Sequence, residues 1–275
     1  MDNYIVFEIN GVSDNPGRKI AFSKDSEHEI SNDDYITKIT VSKDIKSITF
    51  YLKNGLDYTD ELISNIIKYL YDYLGSMMIA LLKKSSSYLS VQLKPTIRLQ
   101  QMSFNGNNKT DIEIYDRLCL HDEMEITMIC HEESKLVNSW LQEVDITGYK
   151  NKKDKYDILF LLLQGDNIVQ KYMALYAFLM SLVRELNSMP NEGQKQVIQY
   201  ITDNCSRVGI TPNLSPSTRP GAKPTDTEDQ FTLLRNQIGH PTIDSSTYRT
   251  QVTINYVNEL ASIICCAIED LPDED

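Results

Sequence analysis

Residues 228–241 read EDQFTLLRNQIGHP, and this stretch decides what the C-terminal half of the chain is. Phe231, Leu234 and Ile238 fall at i, i+3 and i+7, so one helical face turns towards a core. Glu228, Thr232 and Arg235 fall at i, i+4 and i+7 on another face, which puts Glu228 within reach of Thr232 and able to help orient Arg235. Thr225-x-x-Glu228 has the form of a capping box, so the helix is expected to start there. Gly239 and Pro241 are stop signals. Proline also biases His240 towards an extended backbone. Arg235 therefore sits near the end of a helix, and His240 leaves it at the C-terminal end, where the dipole favours an imidazolium. A cationic His beside an Arg suits a phosphate group.

The flanks are helical too. Downstream, Ser245 or Ser246 can cap a last helix that buries Val252, Tyr256, Leu260, Ile263, Ile264 and Ala267. Upstream, residues 206–224 are rich in Ser, Pro and Gly and read as a long loop. A helix is expected over 192–205, with Val197, Ile198 and Ile201 inside. Asp166 or Asn167 can cap another, running to about Asn187 with the stripe Val169, Met173, Tyr176, Ala177, Met180 and Val183. ILFLLL (158–163) is a short buried helix or strand. Lys150, Lys152, Lys153 and Lys155 crowd into a polar stretch after Gly148. That stretch is the best boundary between two domains, and it is the densest basic patch in the chain, a candidate contact for RNA.

The N-terminal half has a different period. YIVFEI, ITKITV and SITFYL in residues 1–57 are short β-rich runs, and Asn54-Gly55 marks a turn. Residues 58–83 read as one long helix with Ile63, Ile66, Ile67, Leu70, Leu74, Met77 and Met78 on its stripe. Residues 88–133 return to strand character, with a loop over 102–109. The fold class is therefore α+β. A mixed α/β accessory domain, 1–150, fitted to sense a signal or bind a partner, precedes an all-α domain, 151–275.

Composition narrows the function. The chain has 275 residues, 41% hydrophobic and 24% charged, with a net charge of -12. A protein that grips nucleic acid on its own usually carries excess Lys and Arg. The acidic balance suits a protein recruited or restrained by a partner. Part of the acid lies in Glu269, Asp270, Asp273, Glu274 and Asp275, expected to be a solvated tail. The N-terminus lacks the basic-then-apolar form of a signal peptide. No apolar run reaches the roughly 18–20 residues of a membrane span. The five cysteines read as reduced thiols of a cytoplasmic protein. Cys119, His121, Cys130 and His131 lack finger spacing, so no metal is expected. Cys265-Cys266 read as core, His28 as an ordinary loop residue, and Trp140 as an anchor at the domain junction. No nucleotide-loop, dinucleotide-fold or metallopeptidase motif occurs, and no cofactor is implied.

The segment around Arg235 resembles the signature of the HEPN superfamily, in which Arg, commonly followed by Asn, precedes a His by a few residues. Arg235, Asn236, three residues and His240 fit that form, and the helices on either side fit its frame over roughly 154–270. The resemblance implies a HEPN-like four-helix bundle and a metal-independent endoribonuclease of toxin or anti-phage type. In that chemistry the RNA 2′-hydroxyl attacks the adjacent phosphate, Arg235 stabilises the phosphorane charge, His240 moves protons and Asn236 positions the His or a phosphate oxygen. Glu228 and Thr232 would support them. One His cannot be acid and base in a single step, so a homodimer sharing one cleft is implied. Some members carry a Tyr two residues after the His, which a partner nucleotidyltransferase modifies; Thr242 stands there, which speaks against that kind of regulator. The alternative is a HEPN module that binds RNA or protein, or dimerises, within a larger defence complex without cutting.

Overall fold

In the computed structural model the described residues are 3–10, 14–15, 18–88, 96–104, 107–110, 126–188, 193–217, 221–223, 225–239 and 251–273. The chain separates into two compact units. The first is Met1–Met78 with Val91–Ile146, and the second is Ile79–Ser90 with Thr147–Asp275. The division near 146 falls beside the lysine stretch. The assignment of 79–90 to the second unit goes beyond the expected simple cut at 150.

In the first unit the strands are β1 (Tyr4–Asn10), β2 (Asp14–Asn15), β3 (Arg18–Phe22), β4 (Ser26–Glu29), β5 (Ile36–Val41), β6 (Ser47–Leu52), β7 (Thr96–Phe104), β8 (Asn107–Thr110) and β9 (Ile126–Cys130). Six form an antiparallel sheet in the order β4-β5-β6-β1-β7-β8. β2, β3 and β9 form a second sheet, with β3 and β9 parallel. SITFYL forms a strand, as its β-rich composition predicts. Ile48, Phe50 and Leu52 are buried while Ser47, Thr49 and Tyr51 are not, because successive side chains in a strand face opposite ways. Register sets Phe7 opposite Ile48 and Ile5 opposite Phe50. Gly55, at φ +86°, makes the turn after β6 that a side chain would strain.

Helix α1 (Asp60–Tyr88) starts where Thr59 accepts the Leu62 N–H, and Asp60 and Glu61 suit its first turn. Ile66, Leu70, Leu74, Met77 and Met78 are buried as the stripe requires. It is longer than expected: Tyr88, read as strand, is its last residue. Residues 102–109, read as a loop, belong mainly to the β7–β8 pair, where Ser103 faces Asn108. Polar residues on a paired strand imitate loop composition. The strand expected over 111–122 lies outside the described residues. α2 (Glu133–Leu141) completes the unit and buries Val137 and Trp140. Trp140 lies near Phe22, with ring centroids 6.5 Å apart, so its packing is inside the first unit.

In the second unit the lysine stretch is not a linker. It forms α3 (Ile146–Asn151) and the start of α4 (Lys153–Leu163). α5 (Ile168–Leu186) begins where Asn167 accepts the Val169 and Gln170 N–H groups, each at 3.0 Å, as an N-cap should. Its buried stripe is Tyr172, Leu175, Tyr176, Leu179, Leu182 and Val183. Of the expected stripe only Tyr176 and Val183 are buried, and Ala177 is exposed; the apolar content of α5 is high enough to suit several faces. α6 (Gln194–Asn204) is followed by a 3-10 turn, Cys205–Val208. The unit is not all-α: β10 (Leu214–Pro216), inside the expected loop, pairs with β11 (Thr227–Asp229), where the helix was expected to start. After α7 (Gln230–Gly239), α8 (Ile254–Glu269) starts at Thr253, which accepts the Tyr256 N–H. Thr253 caps this helix, not Ser245 or Ser246.

From Val257 to Ile268 α8 is buried almost all round, with Glu259 half-buried; Cys265 and Cys266 lie inside, and α5 packs against it. That is the mark of a central helix. Its C-terminal acids are not a free tail. Glu269 pairs with Lys83 at 2.9 Å, and Asp270 accepts from Arg207 and from the Tyr200 hydroxyl, both at 2.7 Å. Among the described residues no helix is long and apolar enough to cross a membrane.

Candidate functional site

The site is built on α7, and its foundation is Asp229. This carboxylate ends β11 and caps the helix. One oxygen accepts the N–H groups of Phe231 and Thr232, at 2.8 and 2.9 Å, which are the donors an N-cap satisfies. The other accepts the Thr232 hydroxyl at 2.6 Å. Thr232 has then spent its only proton. The Tyr176 hydroxyl, 2.7 Å from the same oxygen, must be the donor to it. A directed chain Tyr176 → Thr232 → Asp229 results, all of it buried. Burial pushes the Asp229 carboxyl above its usual range, against the bonds that pull it down. Burial also lifts the Tyr176 phenol well above its ordinary value, so it stays a donor. Tyr172, one turn earlier on α5, donates to the Phe231 carbonyl at 2.7 Å.

The second layer is amide chemistry. Asn236 and Gln194 exchange bonds: Gln194 Nε2 donates to Asn236 Oδ1 at 2.5 Å, and Asn236 Nδ2 donates to Gln194 Oε1 at 3.3 Å. This ties α7 to the first residue of α6. Arg235 Nη1 donates to the same Asn236 oxygen at 3.0 Å. The guanidinium carbon lies 5.9 Å from the centre of the Tyr176 ring, at the outer range of a cation–π contact. Arg235 itself is half-buried, and among the described residues no carboxylate pairs with it. A permanent cation is thus held from two sides with part of its surface in solvent.

The expected residues are therefore only partly brought together. Arg235, Asn236 and Thr232 belong to one connected set. Glu228 does not: it lies on β11, fully buried, accepts the Ser217 hydroxyl at 2.5 Å, and shares no helical face with Thr232 and Arg235. The capping box is likewise replaced. The helix starts after Asp229 because the β10–β11 pairing holds residues 227–229 extended. Asn236, only 1% exposed, is turned inward, and its amide oxygen accepts from Arg235 and Gln194. His240 lies outside the described residues. The lysines stand apart, on α3, on α4 and at the residue between them. Lys152 donates to the Glu269 carbonyl at 2.6 Å and Lys155 to Glu185 at 2.7 Å. Three members were missed: Asp229, Tyr176 as a donor, and Gln194. Asp229 had a legible signal, an Asp directly before an apolar helical run. Gln194 had none, since an amide pair across 42 positions leaves no local pattern.

A second polar constellation sits in the first unit. His28, read as a loop residue, lies buried on β4. Its Nδ1 is 2.7 Å from Asn138 Oδ1 on α2, and its Nε2 is 2.6 Å from Ser26 Oγ. The amide oxygen can only accept, so Nδ1 carries a proton and donates to it. The order Ser–His–Asn matches a hydrolytic triad. Ser26 is wholly buried, however, and a nucleophile must meet its substrate. The set joins β4 to α2. Buried thiols are also poor nucleophiles here, with burial pushing Cys205 up to about 12 and Cys266 to about 11.

No protein-family model, no curated protein and no solved structure matches the chain.

Proposed function

We propose that the second unit is a HEPN-type helical module that cuts RNA without a metal, as a regulated toxin or anti-phage effector. The observation that carries this is Arg235: a half-exposed cation with no carboxylate partner among the described residues, held through Asn236 and over Tyr176, five residues before His240. In the reaction the RNA 2′-oxygen attacks phosphorus as the P–O5′ bond breaks. The products are a 2′,3′-cyclic phosphate and a 5′-hydroxyl. Arg235 offers its fork to the equatorial oxygens, where charge builds. His240 takes the 2′-proton or supplies the proton to the 5′-oxygen. A homodimer would supply the second proton-transfer group from its other copy. Asp229, Thr232 and Tyr176 act at a distance, by fixing the helix that carries Arg235. The first unit would receive the signal or bind the regulator.

The test is incubation of the purified protein with RNA in EDTA and analysis of the ends. Cyclic-phosphate ends that vanish in His240→Ala are expected. Cleavage that survives in that variant, or absence of cleavage with every activating partner tried, would sink the catalytic reading. A second reading has its own support. The net charge of -12 disfavours unaided RNA binding, which suits a module that only binds or dimerises. In that case Arg235→Ala and His240→Ala would leave the cellular phenotype intact.

A further inference from the structure

The lysines that stand apart from α7 line a site of their own. The geometry points to a phosphate-binding pocket at the α3–α4 junction. The cavity is about 200 Å³ and is lined by Lys150, Lys152, Lys153 and Lys155, with Pro272 of the C-terminal segment on its wall. Asp154 and Glu185 also line it and Asp273 lies 3.7 Å from Lys152, so four cations face three carboxylates. In a chain of net charge -12 this is a local reversal of sign.

The backbone adds to it. Lys153 and Asp154 are the first residues of the eleven-residue helix α4, and Lys152 at its N-cap provides no side-chain bond to the first turn. The dipole of a helix N-terminus favours an anion. Two of the lysines already have partners. Lys152 donates to the Glu269 carbonyl at 2.6 Å and lies 3.7 Å from the exposed Asp273 carboxylate, and Lys155 is 2.7 Å from Glu185. The longer contact, to the exposed Asp273, is the weak one that an anionic ligand would displace. Lys153 is steadied from below, with its ammonium 5.6 Å from the centre of the Tyr149 ring. A volume of about 200 Å³ is several times the roughly 30 Å³ share of one water, enough for one or two phosphate groups. A concave pocket of this size fits such a group better than it fits a long strand, which would need an extended basic track.

The site is independent of the ribonuclease reading, and its test uses no cleavage. Inorganic pyrophosphate is titrated into the full-length protein by calorimetry at low salt, where charge contacts are least screened. The wild type should bind. Lys150→Ala/Lys153→Ala, which alters two exposed side chains, should bind about tenfold or more weakly, the loss of one or two charge-assisted bonds. Asp273→Asn should bind about twofold more tightly, as a weak exposed competitor is removed. Absence of binding to the wild type, equal binding by the double variant, or no gain in Asp273→Asn would overturn the assignment. A short RNA is then added as a competitor. Displacement that depends on the two lysines names backbone phosphate as the source. Failure to displace names a free phosphate-bearing ligand. Either result retains the pocket.

Discussion

The two buried polar chains of this protein make an instructive pair. Ser26–His28–Asn138 in the first unit and Tyr176–Thr232–Asp229 in the second are each a run of short, directed hydrogen bonds between a helix and a strand or helix start. The first is closed. Both His28 nitrogens are engaged, and Ser26 and His28 are buried while Asn138 is exposed on α2. The second opens outward, because the helix it fixes also carries the half-exposed Arg235, tied through Asn236. Fully satisfied burial makes a connection. Burial that supports one accessible cation makes a candidate site. Residue type does not separate the two, since the closed chain has the more catalytic-looking members.

The strongest way to break this comparison is to remove the cation. Arg235→Ala should lower RNA cleavage in EDTA by about 10²–10³-fold, the cost of losing one stabiliser of transition-state charge. Its melting temperature should shift little, because a half-exposed side chain is lost. A large loss of stability instead would place Arg235 among the structural groups. Asp229→Ala reverses the emphasis. It removes a helix cap and leaves a buried hydroxyl unanswered, and should cost about 3 kcal/mol in chemical denaturation. A loss below about 0.5 kcal/mol, the scale of ordinary surface changes, would show that the chain does not anchor α7.

His28→Ala should cost about 2 kcal/mol, as Ser26 and Asn138 lose their partner, and should leave RNA cleavage unchanged. If His28→Ala instead abolished an esterase activity while melting normally, the closed chain would be a site after all. Gln194→Ala should cost about 1 kcal/mol and lower cleavage more than it lowers stability, because Asn236 would hold Arg235 less firmly. Equal cleavage by that variant would remove Asn236 from the positioning role.

The smallest effect is in pH. Burial alone would raise the Asp270 carboxyl, but bonds from Arg207 and Tyr200 hold it below its usual range. Its contribution is thus present above the unfolded value of roughly 3.9 and is lost as pH falls through the folded one. Asp229 has the opposite sign. Its raised value favours the fold at acid pH, and that share is lost as pH rises from roughly 3.9 through the folded value. Melting temperatures of Asp270→Asn and wild type should therefore converge below about pH 4. Curves that stay parallel would remove Asp270 from the acid response.

Much of the frame was legible in local pattern. Short runs of β-branched and aromatic residues marked β1, β5 and β6, and Asp166 or Asn167 marked the start of α5. The stop at Gly239 was legible too, as the last residue of α7. These features depend on neighbours in sequence, which fix backbone geometry and which face is apolar. Glu228 shows where local pattern fails. Its spacing to Thr232 and Arg235 was helical, but the β10–β11 pairing drew it into a strand, and pairing with a distant segment outweighs a cap worth about 1 kcal/mol.

By itself, then, the sequence determined that Arg235 and Asn236 lie on a helix ending at Gly239, in a chain that changes from strand-rich to helical. Only the tertiary structure decided what these residues do there: that Asp229 caps the helix, that Asn236 faces inward to Gln194 and holds Arg235, that His28 is closed off, and that the lysines line a pocket. The physical reason is range. Caps, turns and periodicity act within a few residues, whereas burial, hydrogen-bond partners and the environment of a charge are set by segments far apart in the chain.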